Sequence, residues 1–242
     1  MVSNIFQIML LARKAILLIL CLGFLTACQK RETGPADQST KAEAPTPATA
    51  TNAAPTTAEV APPQSISELQ GVTARIYKEA VIVDNGRNDN FVVGDFNGDG
   101  SQDIAVVVKP DKGMLPELNS EYSNWIREDP FEVAKLAAQA HEQQPHKNRR
   151  PTIITAGDHL LAVIHGHQNA GWRNPMATQT YLLKNAVGEK LSTESAESLL
   201  SNTTNRQQLP SLRGDVIRET LNGTPGLIYW TGARYAWHPA VN

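Results

Sequence analysis

Between Phe91 and Val108 the chain reads FVVGDFNGDGSQDIAVVV, and Asp95, Asn97, Asp99 and Asp103 fall at positions 1, 3, 5 and 9 of the pattern D-x-N-x-D-G-x-x-D. Carboxylates confined to one short turn repel one another, and a bound cation relieves that repulsion. Oxygens from alternating side chains converge as such a loop curls, which is how a hard ion is wrapped. Ser101 at position 7 adds a backbone carbonyl, and Gly100 at position 6 permits the sharp turn. Magnesium demands a tight octahedron and keeps its waters, and zinc prefers nitrogen or sulfur donors, so calcium is the expected cofactor. The expected ligands are Asp95, Asn97, Asp99, the Ser101 carbonyl and Asp103. Position 12 is Val106, not the bidentate Glu of a helix-loop-helix calcium hand. The expected affinity is therefore in the extracellular range, about 10⁻⁴ to 10⁻³ M.

The elements that must hold this loop read as strands. FVVGD precedes it and DIAVVVK follows it, both rich in β-branched residues. With those flanks, GDFNGDGSQDIAVV (94–104 and the strand leaving it) resembles the calcium loop of FG-GAP and VCBS repeats, the blades of integrin-type propellers. There the same loop joins two strands, and the resemblance implies the ligand set given above. The likeness covers about 20 residues of one copy. It carries over the loop and not the propeller, which needs several copies.

Other residues offer weaker chemistry. His165 and His167 in VIHGHQNAGW share one face if the strand continues through them, as a metal pair would. Trp172, Tyr229, Trp230, Tyr235 and Trp237 suit either a sugar-binding face or cross-strand core pairs. Arg213-Gly214-Asp215 spells an adhesion tripeptide but reads more simply as the opening of a strand. The chain shows neither a nucleophile elbow nor a Gly-rich phosphate loop after a strand.

Downstream of residue 64 the pattern is mostly short strands. EAVIV, TIITAG, HLLAVIHG, TQTYLLK, GDVIRET, GLIYWTG and ARYAWHP join the two that flank the loop, with Thr231-Gly232 as a hairpin turn. DPFEVAKLAAQAHEQQ reads as a helix capped by Asp129, with Phe131, Leu136 and Ala140 on its buried stripe. STESAESLLSN reads as a second helix, capped by Ser192 or Thr193. Lys109 to Arg150 reads as an insertion between two strands. The predicted fold is α+β: an antiparallel-rich β domain over 65–242 with one or two inserted helices.

The beginning of the chain carries an address. Arg13 and Lys14 precede the apolar run Ala15 to Leu25, about 11 residues long, where a bilayer span needs roughly 20. A charged start, a short apolar core and small residues after it describe a secretory leader over 1–27. Leu25-Thr26-Ala27-Cys28 resembles the lipobox of bacterial lipoproteins. That resemblance implies cleavage before Cys28, a diacylglyceryl thioether on its sulfur and an acylated (palmitate-type) amino terminus. Gln29 rather than Asp after the cysteine implies the outer membrane. Met9 is an alternative start that brings the charges nearer the amino terminus.

Residues 28–64 are dominated by Ala, Pro and Thr and lack aromatics. Such a segment buries too little apolar surface to offset its ordering entropy, so a disordered tether is expected. Loss of the leader takes the formal charge from −2 to −4, because Arg13 and Lys14 go with it. The remaining charge is spread along the chain without a basic stripe, which argues against nucleic acid. Cys21 leaves with the leader and Cys28 takes the lipid, so no thiol remains for a disulfide. The expected partners are the membrane, through the lipid anchor, and an envelope or surface component. The expected protein is an envelope lipoprotein with a calcium-stabilised β module, non-catalytic in binding or structure. The alternative is an envelope hydrolase of glycan or peptide, using carboxylates or His165 as acid-base groups.

Overall fold

The computed structural model describes residues 61–140 and 151–241. The expected leader, the expected lipidation site Cys28 and the expected tether up to residue 60 lie outside the described residues.

The expected α+β architecture is present, with two antiparallel-rich sheets and a helix on the outer face of each. The first sheet contains β1 (Val81–Val83), β2 (Phe91–Gly94), β3 (Asp103–Pro110), β4 (Ile126–Glu128), β5 (Leu160–Ile164) and β6 (Thr180–Lys184), in the order β1-β3-β5-β6-β4. β1 and β2 share one edge of β3, β1 against Val108–Pro110 and β2 against Asp103–Val106. β4 runs parallel to β6, whereas the other described pairs of this sheet are antiparallel. The second sheet is a meander of β7 (Ser192–Glu194), β8 (Val216–Leu221), β9 (Thr224–Trp230) and β10 (Tyr235–Pro239). Thr231 and Gly232 make the β9–β10 turn, closed by Thr231 N–H to the Arg234 carbonyl at 2.8 Å.

β3 shows why the layers stack. Its residues Ile104 to Val108 are fully buried on both faces, which is why they read as an unbroken apolar run. Ile104, Val106 and Val108 face the layer of α1 (Ile66–Tyr77), beside Leu69, Val72 and Tyr77. Ala105 and Val107 face the second sheet, in a core with Ile217, Ile228, Trp230, Tyr235 and Trp237. A smaller cluster, Leu199, Val216 and Leu227, includes the inner side of α4 (Ala196–Asn202).

Several elements differ from the sequence reading. α1 was not expected, although Ser65 and Glu68 spell a helix start: the Ser65 hydroxyl accepts the Glu68 N–H at 3.2 Å. Its buried residues Leu69, Val72, Thr73 and Tyr77 follow helical spacing. TIITAG is not a strand. The Asn119 carboxamide instead takes both polar groups of Ile154, accepting its N–H and donating to its carbonyl, each at 2.8 Å. That side chain satisfies the backbone as a neighbouring strand would. The 109–150 segment is more than an insertion, since after the short α2 (Leu115–Leu118) it supplies β4. The predicted 192–202 helix starts later. Ser192–Glu194 is β7, and Ser195 is the N-cap, its hydroxyl accepting the Ser198 N–H. α3 (Pro130–Ala140) begins as expected, with the Phe131 N–H on the Asp129 carboxylate at 2.9 Å. Pro130 and Val133 are its buried residues, Phe131 and Leu136 are half-buried, and the Ala140 side chain lies outside the described part.

Candidate functional site

The loop from Asp95 to Asp103 closes the β2–β3 hairpin, with Gly94 opposite Asp103 in the ladder. The five expected ligand residues therefore lie on one turn, held at its mouth by two strands. Asp95 folds over the loop: Oδ1 accepts the N–H groups of Gly98 (2.8 Å) and Asp99 (3.1 Å), and Oδ2 accepts that of Gly100 (2.8 Å). Asp103 closes it from below: Oδ2 accepts from Phe96 (2.8 Å) and Asn97 (3.2 Å), and Oδ1 accepts from Gly166 N–H at 2.6 Å. The Asn97 amide donates to Asp99 Oδ2 at 2.8 Å, and Asp99 Oδ1 accepts the Ser101 N–H at 2.8 Å. The Ser101 hydroxyl donates to the Gln168 carbonyl at 3.1 Å.

The electrostatics are those of a crowded negative site. Asp103 is fully buried. Burial pushes its carboxyl up to about 8, and repulsion from Asp95 and Asp99 adds to the rise against the Gly166 hydrogen bond. Asp95 is raised too, chiefly by burial, and Asp99 adds to it. A nearby cation favours the charged form of a carboxyl so displaced.

The donor set fits a hard cation in its chemistry, since every candidate ligand is oxygen. A carboxylate accepts at about four positions. The recorded bonds occupy three on Asp95, two on Asp99 and three on Asp103, so each keeps capacity. Among the described residues, however, no three His, Cys, Asp or Glu side chains stand together as a ready metal cluster. Ion binding therefore has to draw the side chains of Asn97 and Asp99, which bond to each other, toward a common centre.

No family model, curated protein or solved structure matches the chain.

The loop is also a joint between the two sheets, which the sequence did not reveal. Asp215, at the entrance to β8, accepts the Asp95 N–H on Oδ2 at 3.0 Å and returns its own N–H to the Asp95 carbonyl at 2.8 Å. Gly214 packs so closely that a Cβ there would lie 2.2 Å from the Asp95 carbonyl oxygen. Gly98 has φ +74°, and a Cβ on it would meet the Arg213 carbonyl oxygen at 1.8 Å. Arg213-Gly214-Asp215 is thus committed to the loop, with its carboxylate turned inward. Gly-Asp before an apolar run was the only trace of this in sequence. The partners Gly166 and Gln168 left none, because they come from the connection after β5.

The histidine pair does not form. β5 ends at Ile164, after which His165 turns between the sheets and His167 is exposed. His165 is 2% exposed, and its Nε2 lies 2.7 Å from the Tyr235 hydroxyl. The rings of Tyr181, Trp230 and Tyr235 stand 5.2, 5.0 and 5.8 Å from it, centroid to centroid. Burial pushes the imidazole down to about 4, against smaller upward pulls from Gln179 and Asp99. A neutral, enclosed imidazole is poorly placed to exchange protons with a bound glycan or peptide. The aromatics named from sequence are core as well. Trp230 pairs across the ladder with Tyr235, Trp237 meets Phe131 at 5.4 Å, Trp172 is fully buried and Tyr229 is half-buried. Of these five, only Tyr229 reaches the surface.

Proposed function

We propose that this chain is a membrane-tethered envelope lipoprotein whose β module is fastened by calcium at Asp95, Asn97, Asp99, the Ser101 carbonyl and Asp103, and that it binds or supports an envelope component without catalysis. The observation that carries the reading is Asp103. It is a carboxyl with no exposure, held by three backbone N–H groups and crowded by two further carboxylates. A cation at this point would neutralise the crowd and lock β2, β3, the connection after β5 and the entrance to β8 together. Its role would then be structural, consistent with the weak affinity expected without a position-12 carboxylate.

Thermal unfolding with calcium and with chelator tests the ion. At a calcium concentration 10 to 100 times Kd, mass action predicts about 1.4 to 2.7 kcal/mol of stabilisation. That is a midpoint rise of about 3–10 °C for a domain of this size. Asp99→Asn combined with Asp103→Asn should abolish the rise, and equal melting in calcium and chelator would reduce the loop to a plain turn. The address is tested separately by mass spectrometry of the mature amino terminus, where an acylated Cys28 is expected and an uncleaved leader would end the lipoprotein reading.

A further inference from the structure

Arg173 gathers an unusual set of partners where the tether enters the domain. Its Nε donates to Glu68 Oε1 at 2.7 Å, Nη1 to the Ala61 carbonyl at 2.5 Å, and Nη2 to the Pro62 carbonyl at 3.3 Å. The guanidinium carbon lies over the Trp172 ring, 3.8 Å from its centroid. One planar cation thus grips two carbonyls of the entering chain, a carboxylate of α1 and an aromatic face, a combination only a guanidinium supplies. Glu68 closes the grip from the other side, its Oε2 accepting the Gln64 N–H at 2.9 Å. Arg75 fastens the base, donating to the Trp172 and Arg173 carbonyls at 2.7 and 3.0 Å.

The base of this grip is the loop itself. Trp172 is fully buried and donates twice to Gln102, from its backbone N–H to the carbonyl at 2.8 Å and from its indole to Oε1 at 3.0 Å. Gln102 stands between Ser101 and Asp103. The same connection meets the loop at two further points, Gly166 on Asp103 and Gln168 on Ser101. A shift of the loop's last turn therefore moves Trp172, and with it the surface against which Arg173 is stacked.

We infer that Arg173 and Trp172 form a latch on the root of the tether, set by the loop through Gln102. Closed, the latch fixes the direction in which the chain leaves the domain and holds the loop beside that exit. Open, it frees Ala61 to Gln64 and lengthens the tether by up to about 13 Å. The latch contacts stand by themselves. Their effect on reach rests on the lipid-anchor reading, and their response to calcium on the calcium reading.

Hydrogen exchange on the mature chain in detergent, read by mass spectrometry, tests the latch. The reporter peptide covers residues 61–69, and a peptide from β3 reports whether the fold is intact. Arg173→Ala should speed exchange over 61–69 about tenfold and leave the β3 peptide unchanged. Arg173→Lys, which keeps the charge and loses the fork, should fall between wild type and Ala. Gln102→Ala should act in the same direction as Arg173→Ala, which a purely local ion pair would not do. Exchange over 61–69 within twofold of wild type in Arg173→Ala would overturn the latch. If Arg173→Ala disturbs the β3 peptide, Arg173→Lys decides, and wild-type exchange there overturns the latch equally. Chelator should loosen the root in wild type. An unchanged root despite a calcium-dependent melting midpoint would sever the latch from the ion, and an unchanged midpoint would reject the calcium reading instead.

Discussion

The pH dependence of stability in the absence of calcium is set by two buried groups of opposite sense. Asp103 ionises at about 8 in the folded protein against an ordinary 3.8. Between these values the folded state holds a proton the unfolded chain has released, so stability falls as pH rises. His165 runs the other way. Its folded value is about 4 against 6.5, so the unfolded chain holds the extra proton and stability rises with pH across that interval. The two slopes oppose one another up to about pH 6.5. The rise in Asp95 has the same sense as that in Asp103. From pH 6.5 to 8 Asp103 acts unopposed at about 1.4 kcal/mol per pH unit, about 2 kcal/mol in all. For a domain of this size that lowers the melting midpoint by about 4–8 °C. Scanning calorimetry in chelator across pH 5 to 8.5 should show this late fall. Calcium should flatten it, because the ion favours the charged carboxylate. Asp103→Asn should remove it with or without calcium. A chelated wild-type midpoint that holds or rises between pH 6.5 and 8 would refute the assignment, as would an Asp103→Asn variant that keeps the fall.

Gly98→Ala should destabilise by about 3–5 kcal/mol, since it combines a left-handed backbone with a collision against the Arg213 carbonyl oxygen. Gly100→Ala, equally left-handed at φ +85° but with open space around it, should lose only about 1–2 kcal/mol; equal losses in urea unfolding would show that the joint with Arg213 does not form. Asp215→Ala should lose about 1–2 kcal/mol by leaving the Asp95 N–H unpaired, and a neutral result in the same assay would count against the link between sheets. Tyr235→Phe removes the buried partner of His165 and should lose about 1–3 kcal/mol. Adding His165→Phe should recover part of that loss, and strictly additive losses would mean the two side chains are not coupled.

The strands flanking the loop were legible because β3 is buried on both faces and reads as a continuous apolar run. The β9–β10 hairpin was legible because its turn carries Gly232 and its strands carry aromatics. α1 was missed although Ser65 and Glu68 signalled it, because its buried stripe includes Thr73 and is interrupted by exposed polar residues. β4 and β7 are three residues each, too short to show a period. Residues 152–157 carried strand propensity, yet the Asn119 carboxamide outcompeted a strand partner. Propensity describes what a segment can do, while the partner it meets decides what it does.

The sequence by itself determined the spacing of oxygens around Gly100, the apolar runs that make strands and the charge and cysteine pattern that precede the domain. Each is a property of neighbours along the chain, so it survives without a fold. Only the tertiary structure decided that Asp103 is buried, that Asp215 turns inward to Asp95, that His165 is caged by three rings and that Arg173 grips Ala61 and Pro62. Those contacts join residues up to 120 positions apart. Their energies depend on exclusion of water and on distances of about 3 Å, which no local pattern encodes.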